Sequence, residues 1–221
     1  MGHRRGWWLV DRGAAATGRM APEDGVAFYR AAGWDHQAIE RYKEKFGSFG
    51  QMIFPLPASY RRISDGDILR LGAHDWTVVV GSGHCPEHAC LYCPQLKLLI
   101  SGDQVLPRIS SNVSVYPTEP EADPLSDWLS SLRMLKHRIP ARVDELIESH
   151  GRGLSRLEEM LAEPKRASDV FGALFARPIT SELLGMATGE AIAHLHHLAR
   201  TGRAIQERDP LGIWWWRRSD R

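Results

Sequence analysis

Long apolar runs, paired cysteines and a surplus of one charge are all missing from this chain of 221 residues. No stretch of about eighteen consecutive apolar residues occurs, which argues against a transmembrane helix. Lys and Arg number 28 and Asp and Glu 27, a formal net charge of +1. No global field therefore draws it to nucleic acid or an anionic membrane. There are three cysteines, an odd number crowded between Cys85 and Cys93. They cannot make a disulfide framework, and a reducing cytoplasm is the expected setting. Met1 to Trp8 has basic residues but no long apolar run and no small-residue cleavage site, so no secretory signal is expected. Internal repeats and low-complexity tracts are absent too, which excludes a solenoid. What remains is a 43% hydrophobic chain, enough to fill the core of one domain with an appendage.

Apolar spacing predicts helices over 22–32 and 35–45, the second with Asp35 as N-cap. A β hairpin is predicted from 63–71 and 76–80, with Asp65-Gly66 as a turn. Further strands are predicted at 7–10, 89–93, 98–101 and 112–116. Leu125, Trp128, Leu129, Leu132 and Leu135 form one stripe of a helix over 124–136. Another helix is predicted over 143–161, weakened in its middle by Gly151 and Gly153.

The chemistry concentrates in Val80-Gly-Ser-Gly-His84-Cys-Pro-Glu-His88-Ala-Cys-Leu-Tyr-Cys-Pro94 and, after it, Leu98-Leu-Ile-Ser-Gly-Asp103. Two apolar strands end here, one in His84 and one in Asp103. Imidazole nitrogen and carboxylate oxygen at neighbouring strand ends suit a borderline-soft cation such as zinc. These segments resemble the third and fourth metal motifs of the metallo-β-lactamase superfamily, G-x-G-H-x-x-x-H and S/T-G-D. The run from Ser101 to Asn112 resembles a bacterial hydrolase branch within it. The resemblance covers roughly residues 6–221. It implies an α/β fold, a shortened αββα sandwich occupying residues 1–162, and a zinc- or iron-dependent hydrolase acting on an ester, thioester or related small molecule. His84 and Asp103 are the metal ligands it carries over, and relatives use the matching carboxylate to bridge two metals. Asp11 matches an Asp that orients site residues, and His88 a residue with a supporting role.

Two motifs of that family are absent. No H-x-H-x-D-H segment follows Trp7-Trp-Leu-Val-Asp-Arg-Gly13, and no buried strand leads into a final histidine loop near Pro140. Both carry metal ligands, so reduced or absent metal occupancy is expected, together with a sheet edge open to a second copy of the chain. Glu148-Ser-His150-Gly151 imitates the final loop, but the charged, helically spaced residues before it place His150 on a helix. His194-Leu-His196-His197 imitates the first motif without its Asp. Cys90 and Cys93 lie three apart on a strand and so point to opposite faces, as small buried hydrophobes rather than a zinc knuckle. Cys85, beside His84, is a weak candidate nucleophile.

From 163 onward the chain changes character. Helices over 168–176, 181–186 and 188–201, then a hairpin over 203–217 with its tip at 209–212, follow the plan of a winged helix. Nine Lys and Arg against six Asp and Glu between Pro164 and Arg221 fall short of the concentrated stripe that DNA binding requires. Packing or dimerisation is the expected role. Two alternatives to the hydrolase remain: a non-catalytic binding or assembly protein that retains the fold, and a winged-helix nucleic-acid binder.

Overall fold

A computed structural model describes residues 19–48, 51, 59–106, 110–138 and 143–220. The expected strand at 7–10 and Asp11 lie outside the described residues. Among the described residues two short helices come first, α1 (Glu23–Ala31) and α2 (His36–Lys45). Asp35 caps α2 as expected, its carboxylate accepting from the Ala38 amide at 2.7 Å.

A four-stranded antiparallel meander follows: β1 (Ile68–Leu71), β2 (His74–Gly81), β3 (His88–Cys93) and β4 (Leu98–Ile100). Strand β1 starts at Ile68 rather than 63, because Ser64 to Asp67 form a turn in which Asp67 accepts from the Ser64 amide. The register pairs Val79 with Cys90 and Tyr92 with Leu99, and these four turn one sheet face to the core. Cys93 lies on the opposite face, paired with Leu98. Both Cys90 and Cys93 are fully buried and free, as the strand periodicity requires.

Helix α3 (Pro124–Arg138) lies against the sheet at β2, and α4 (Val143–Met160) lies against α3. All five residues of the predicted α3 stripe are buried. The expected strand at 112–116 is not one among the described residues. It is an extended segment lying on a later helix, where Val115 donates its amide to Gly189 O at 3.0 Å rather than to a neighbouring strand.

The C-terminal region differs from the three-helix expectation. A 3-10 turn (Ala167–Asp169) and the four-residue α5 (Phe171–Leu174) precede one continuous helix, α6 (Leu184–Arg200). Nothing at Ala187 breaks that helix: it contains no proline, and Gly185 and Gly189 weaken it without interrupting it. The earlier pair ends sooner than expected, with Phe175 already in an extended conformation. The hairpin forms as predicted from β5 (Ala204–Arg208) and β6 (Trp214–Arg218). At its tip Asp209 accepts from the Leu211 and Ile213 amides and from Trp215 Nε1, at 2.9, 2.9 and 3.0 Å.

The hairpin is bound to the rest of the protein along the edge of β6 and through one face. Trp216 exchanges both backbone hydrogen bonds with Lys165, at 2.8 Å each, and the Trp214 ring meets Phe28 edge-on. Trp34 stacks on Tyr29 and donates from Nε1 to Thr188 Oγ1 at 2.8 Å, across 154 residues of sequence. Helix α1 thus packs on the C-terminal region. Among the described residues no helix is long and apolar enough to cross a membrane.

Candidate metal centre

Strand β2 ends at Gly81, and the chain must turn within a few residues to present His84. Gly83 makes the turn with φ +103, and a Cβ there would come within 2.6 Å of the Trp128 backbone nitrogen. Only glycine lets this turn press against α3. His84 then sends Nδ1 to the carbonyl of Asn112, 2.7 Å away. A carbonyl can only accept, so Nδ1 holds a proton, and in the neutral ring the lone pair is on Nε2. That lone pair points into the space shared with Asp103, whose Oδ2 is 3.5 Å from Nε2. Asp103 rides on a single 3-10 turn (Gly102–Gln104) directly after β4 and is the more exposed of the two. The structure therefore brings the two sequence-predicted ligands together.

His88, the first residue of β3, lies beside them with its ring 5.8 Å from that of His84. Its Nδ1 is 3.4 Å from Cys85 Sγ, and its Nε2 packs on Gly102, where a Cβ would sit 2.5 Å away. Burial, then the neighbouring His84, lowers the pKa of His88. Burial also raises that of Cys85. The pair is a neutral thiol against a neutral imidazole, which makes Cys85 a poor nucleophile.

Sequence reasoning missed Gln104. This fully buried side chain donates from Nε2 to Ser82 O at 3.0 Å and to Ser131 Oγ at 3.2 Å. Its backbone carbonyl accepts from Trp128 Nε1 at 3.3 Å. The turn bearing Asp103 is thereby tied both to the turn bearing His84 and to α3. The available signal was a polar side chain directly after a candidate ligand, at a strand end expected to be buried.

His150 lies within α4, as its sequence context requires, and is buried. Its ring tilts against Trp128 at 4.6 Å, so it neighbours the turn at Gly83 through that side chain. A short hydrogen bond joins its Nε2 to Ser110 Oγ, and its Nδ1 is 3.1 Å from His194 Nε2. His194 Nδ1 in turn donates to Glu190 O at 2.8 Å. Each ring has one donor and one acceptor role only if both are neutral. Burial, then the neighbouring His194, holds His150 down at about 3, and burial holds His194 down at about 4. His196 and His197 are engaged elsewhere, with Ala122 O and with Ser126 Oγ.

The donor types at His84 and Asp103 suit zinc or iron, but the number of ligands falls short. Among the described residues no group of three or more His, Cys, Asp or Glu is arranged to hold a metal ion. A complete catalytic zinc site uses three protein ligands and an open position.

Comparison with known proteins places this architecture. The model of the metallo-beta-lactamase superfamily matches residues 7–150, and that of the metallo-beta-lactamase-like C-terminal domain matches 154–219. The chain belongs to the metallo-β-lactamase superfamily. It is similar to a beta-lactamase domain protein from Burkholderia ambifaria, with 31% identity and a TM-score of 0.84 over 96% of this chain. A metallo-beta-lactamase family protein from Thermus thermophilus shares the fold, at 24% identity and a TM-score of 0.70 over 89% of this chain. In each case the chain spans 64% of the length of the structure it matches. No curated protein matches.

Proposed function

We propose that this chain is a metallo-β-lactamase-fold hydrolase, in which His84 Nε2 and an oxygen of Asp103 are two ligands of a zinc or iron ion. The separation of those two atoms, 3.5 Å, carries the reading. Two ligands about 2.0–2.1 Å from one tetrahedral cation stand roughly 3.3–3.5 Å apart. The bond from His84 Nδ1 to a backbone carbonyl is the usual support for a metal-ligating imidazole. When bound, such an ion acidifies a water and polarises an ester, thioester or related small-molecule substrate. The protein's own part is to turn Nε2 toward Asp103 through the bond at Nδ1, to hold Asp103 opposite it through Gln104, and to close one side with α3.

A second reading, a non-catalytic binding or assembly protein, is favoured by one observation: no third donor joins the pair among the described residues. The free cysteines support a reducing, cytoplasmic setting. A boundary between residues 162 and 163 would leave the second part, 163–221, as a packing or dimerisation unit rather than a nucleic-acid binder.

Metal per chain, measured by plasma mass spectrometry after reconstitution with zinc or iron, tests the first reading. One ion retained by the wild type and lost in His84→Ala supports it. No ion in either protein sinks it and leaves the non-catalytic reading.

A further inference from the structure

Two acceptors compete for the single proton of a neutral His84 ring. Asn112 O lies 2.7 Å from Nδ1, and the Asp103 carboxylate lies 3.5 Å from Nε2. If the Asn112 peptide moves away, the carboxylate draws the proton to Nε2, and the lone pair that faces Asp103 is lost. What holds that peptide in place therefore decides which nitrogen is available.

The answer lies in the C-terminal region. Asn112 Nδ2 donates to Glu190 Oε2 of α6 at 2.9 Å, and Asn112 Oδ1 accepts from Ser114 Oγ at 2.7 Å. The same segment is fixed to α6 by the Val115 amide on Gly189 O at 3.0 Å. Gly189 permits this approach, since a Cβ there would stand 2.7 Å from Val115 O. Glu190 is a half-buried carboxyl engaged with a site segment 78 residues away, and it has no part in the metal chemistry proposed above.

We infer that Glu190 is a positioning residue for His84: by anchoring the Asn112 side chain it keeps the Asn112 carbonyl on Nδ1 and the Nε2 lone pair free. The 163–221 region is then a working part of the His84 site. This deepens the reading of His84 as a ligand, but the geometry it rests on does not depend on a metal.

Long-range proton–nitrogen NMR of the metal-free protein reads the His84 tautomer directly. At a pH where the ring is neutral, the wild type should show one population protonated at Nδ1. In Glu190→Ala the two ring nitrogens should move toward a common averaged shift, while Glu190→Gln, which still offers an acceptor to Asn112, should keep the wild-type pattern. Wild-type His84 shifts in a folded Glu190→Ala protein would overturn the inference. Should Glu190→Ala not fold, Asn112→Ala retains the carbonyl but loses the anchor. Tautomer averaging there supports the inference, and an unchanged His84 overturns it. Because the measurement uses metal-free protein, failure here is separate from failure of the metal-content test.

Discussion

Gln104 Nε2 lies 3.0 Å from the carbonyl of Ser82, so the two turns that present Asp103 and His84 are joined by one side chain. Replacing Gln104 with methionine keeps the volume and removes the donor. The half-buried Ser82 carbonyl would then lose this partner, at a cost of about 0.5–1.5 kcal/mol. Urea unfolding at neutral pH checks this. An unchanged midpoint would mean that the bond adds nothing to stability.

Glycines at 83 and 151 should respond to alanine in opposite ways. At Gly83 the backbone has φ +103 and the new methyl would collide with the Trp128 backbone, so Gly83→Ala should cost at least about 2 kcal/mol. At Gly151, inside α4, a Cβ meets nothing within 4 Å. Gly151→Ala should stabilise the protein by about 0.5–1 kcal/mol. Thermal unfolding of the two variants side by side tests both signs.

Two buried histidines and one half-buried carboxyl set a pH profile. His150 and His194 fall from the usual 6.5 to about 3 and about 4 on folding, so between those values the unfolded chain holds more protons. Their stabilising contribution is complete above pH 6.5 and is lost as pH falls below it. Glu190 moves the other way, pushed by burial from 4.5 up to about 7, so its contribution is present at low pH and lost as pH rises through that window. From pH 4.5 to 6.5 two histidines oppose one carboxyl, leaving a rising slope of about 1.4 kcal/mol per pH unit. Above 6.5 only the falling Glu190 limb remains, so the contribution of these groups peaks near pH 6.5. Unfolding free energies measured from about pH 4.5 to 8 should show that maximum, and Glu190→Gln should flatten the falling limb. A wild-type profile still rising from about pH 6.5 to 7.5 would contradict it.

Local patterns carried much of the fold. The α3 stripe, the Asp35 cap, the alternation of Cys90 and Cys93, and the hairpin turning at Asp209 each depend on neighbours within a few residues, and each is in place. The misreadings occur where distant partners decide. Residues 112–116 have strand-like composition, but their hydrogen bonds go to α6, far along the chain. Across 181–201 two helices were expected, yet packing of Ala191, Ile192, Leu195 and Leu198 into the core keeps one continuous helix over Leu184–Arg200. At the site, the spacing of motifs brought out His84 and Asp103. Gln104, Asn112 and Glu190 were not legible, because their importance lies in whom they touch.

The bond from Trp34 to Thr188 bears on how this protein is made. With 154 residues between the partners, α1 and its aromatic neighbours leave the ribosome long before their seat on α6 exists. At about 5–20 residues per second the wait is roughly 8–30 s. Through that interval Phe28, Tyr29 and Trp34 are an apolar surface without the cover that α6 and β6 later supply, so apolar exposure during synthesis falls at α1.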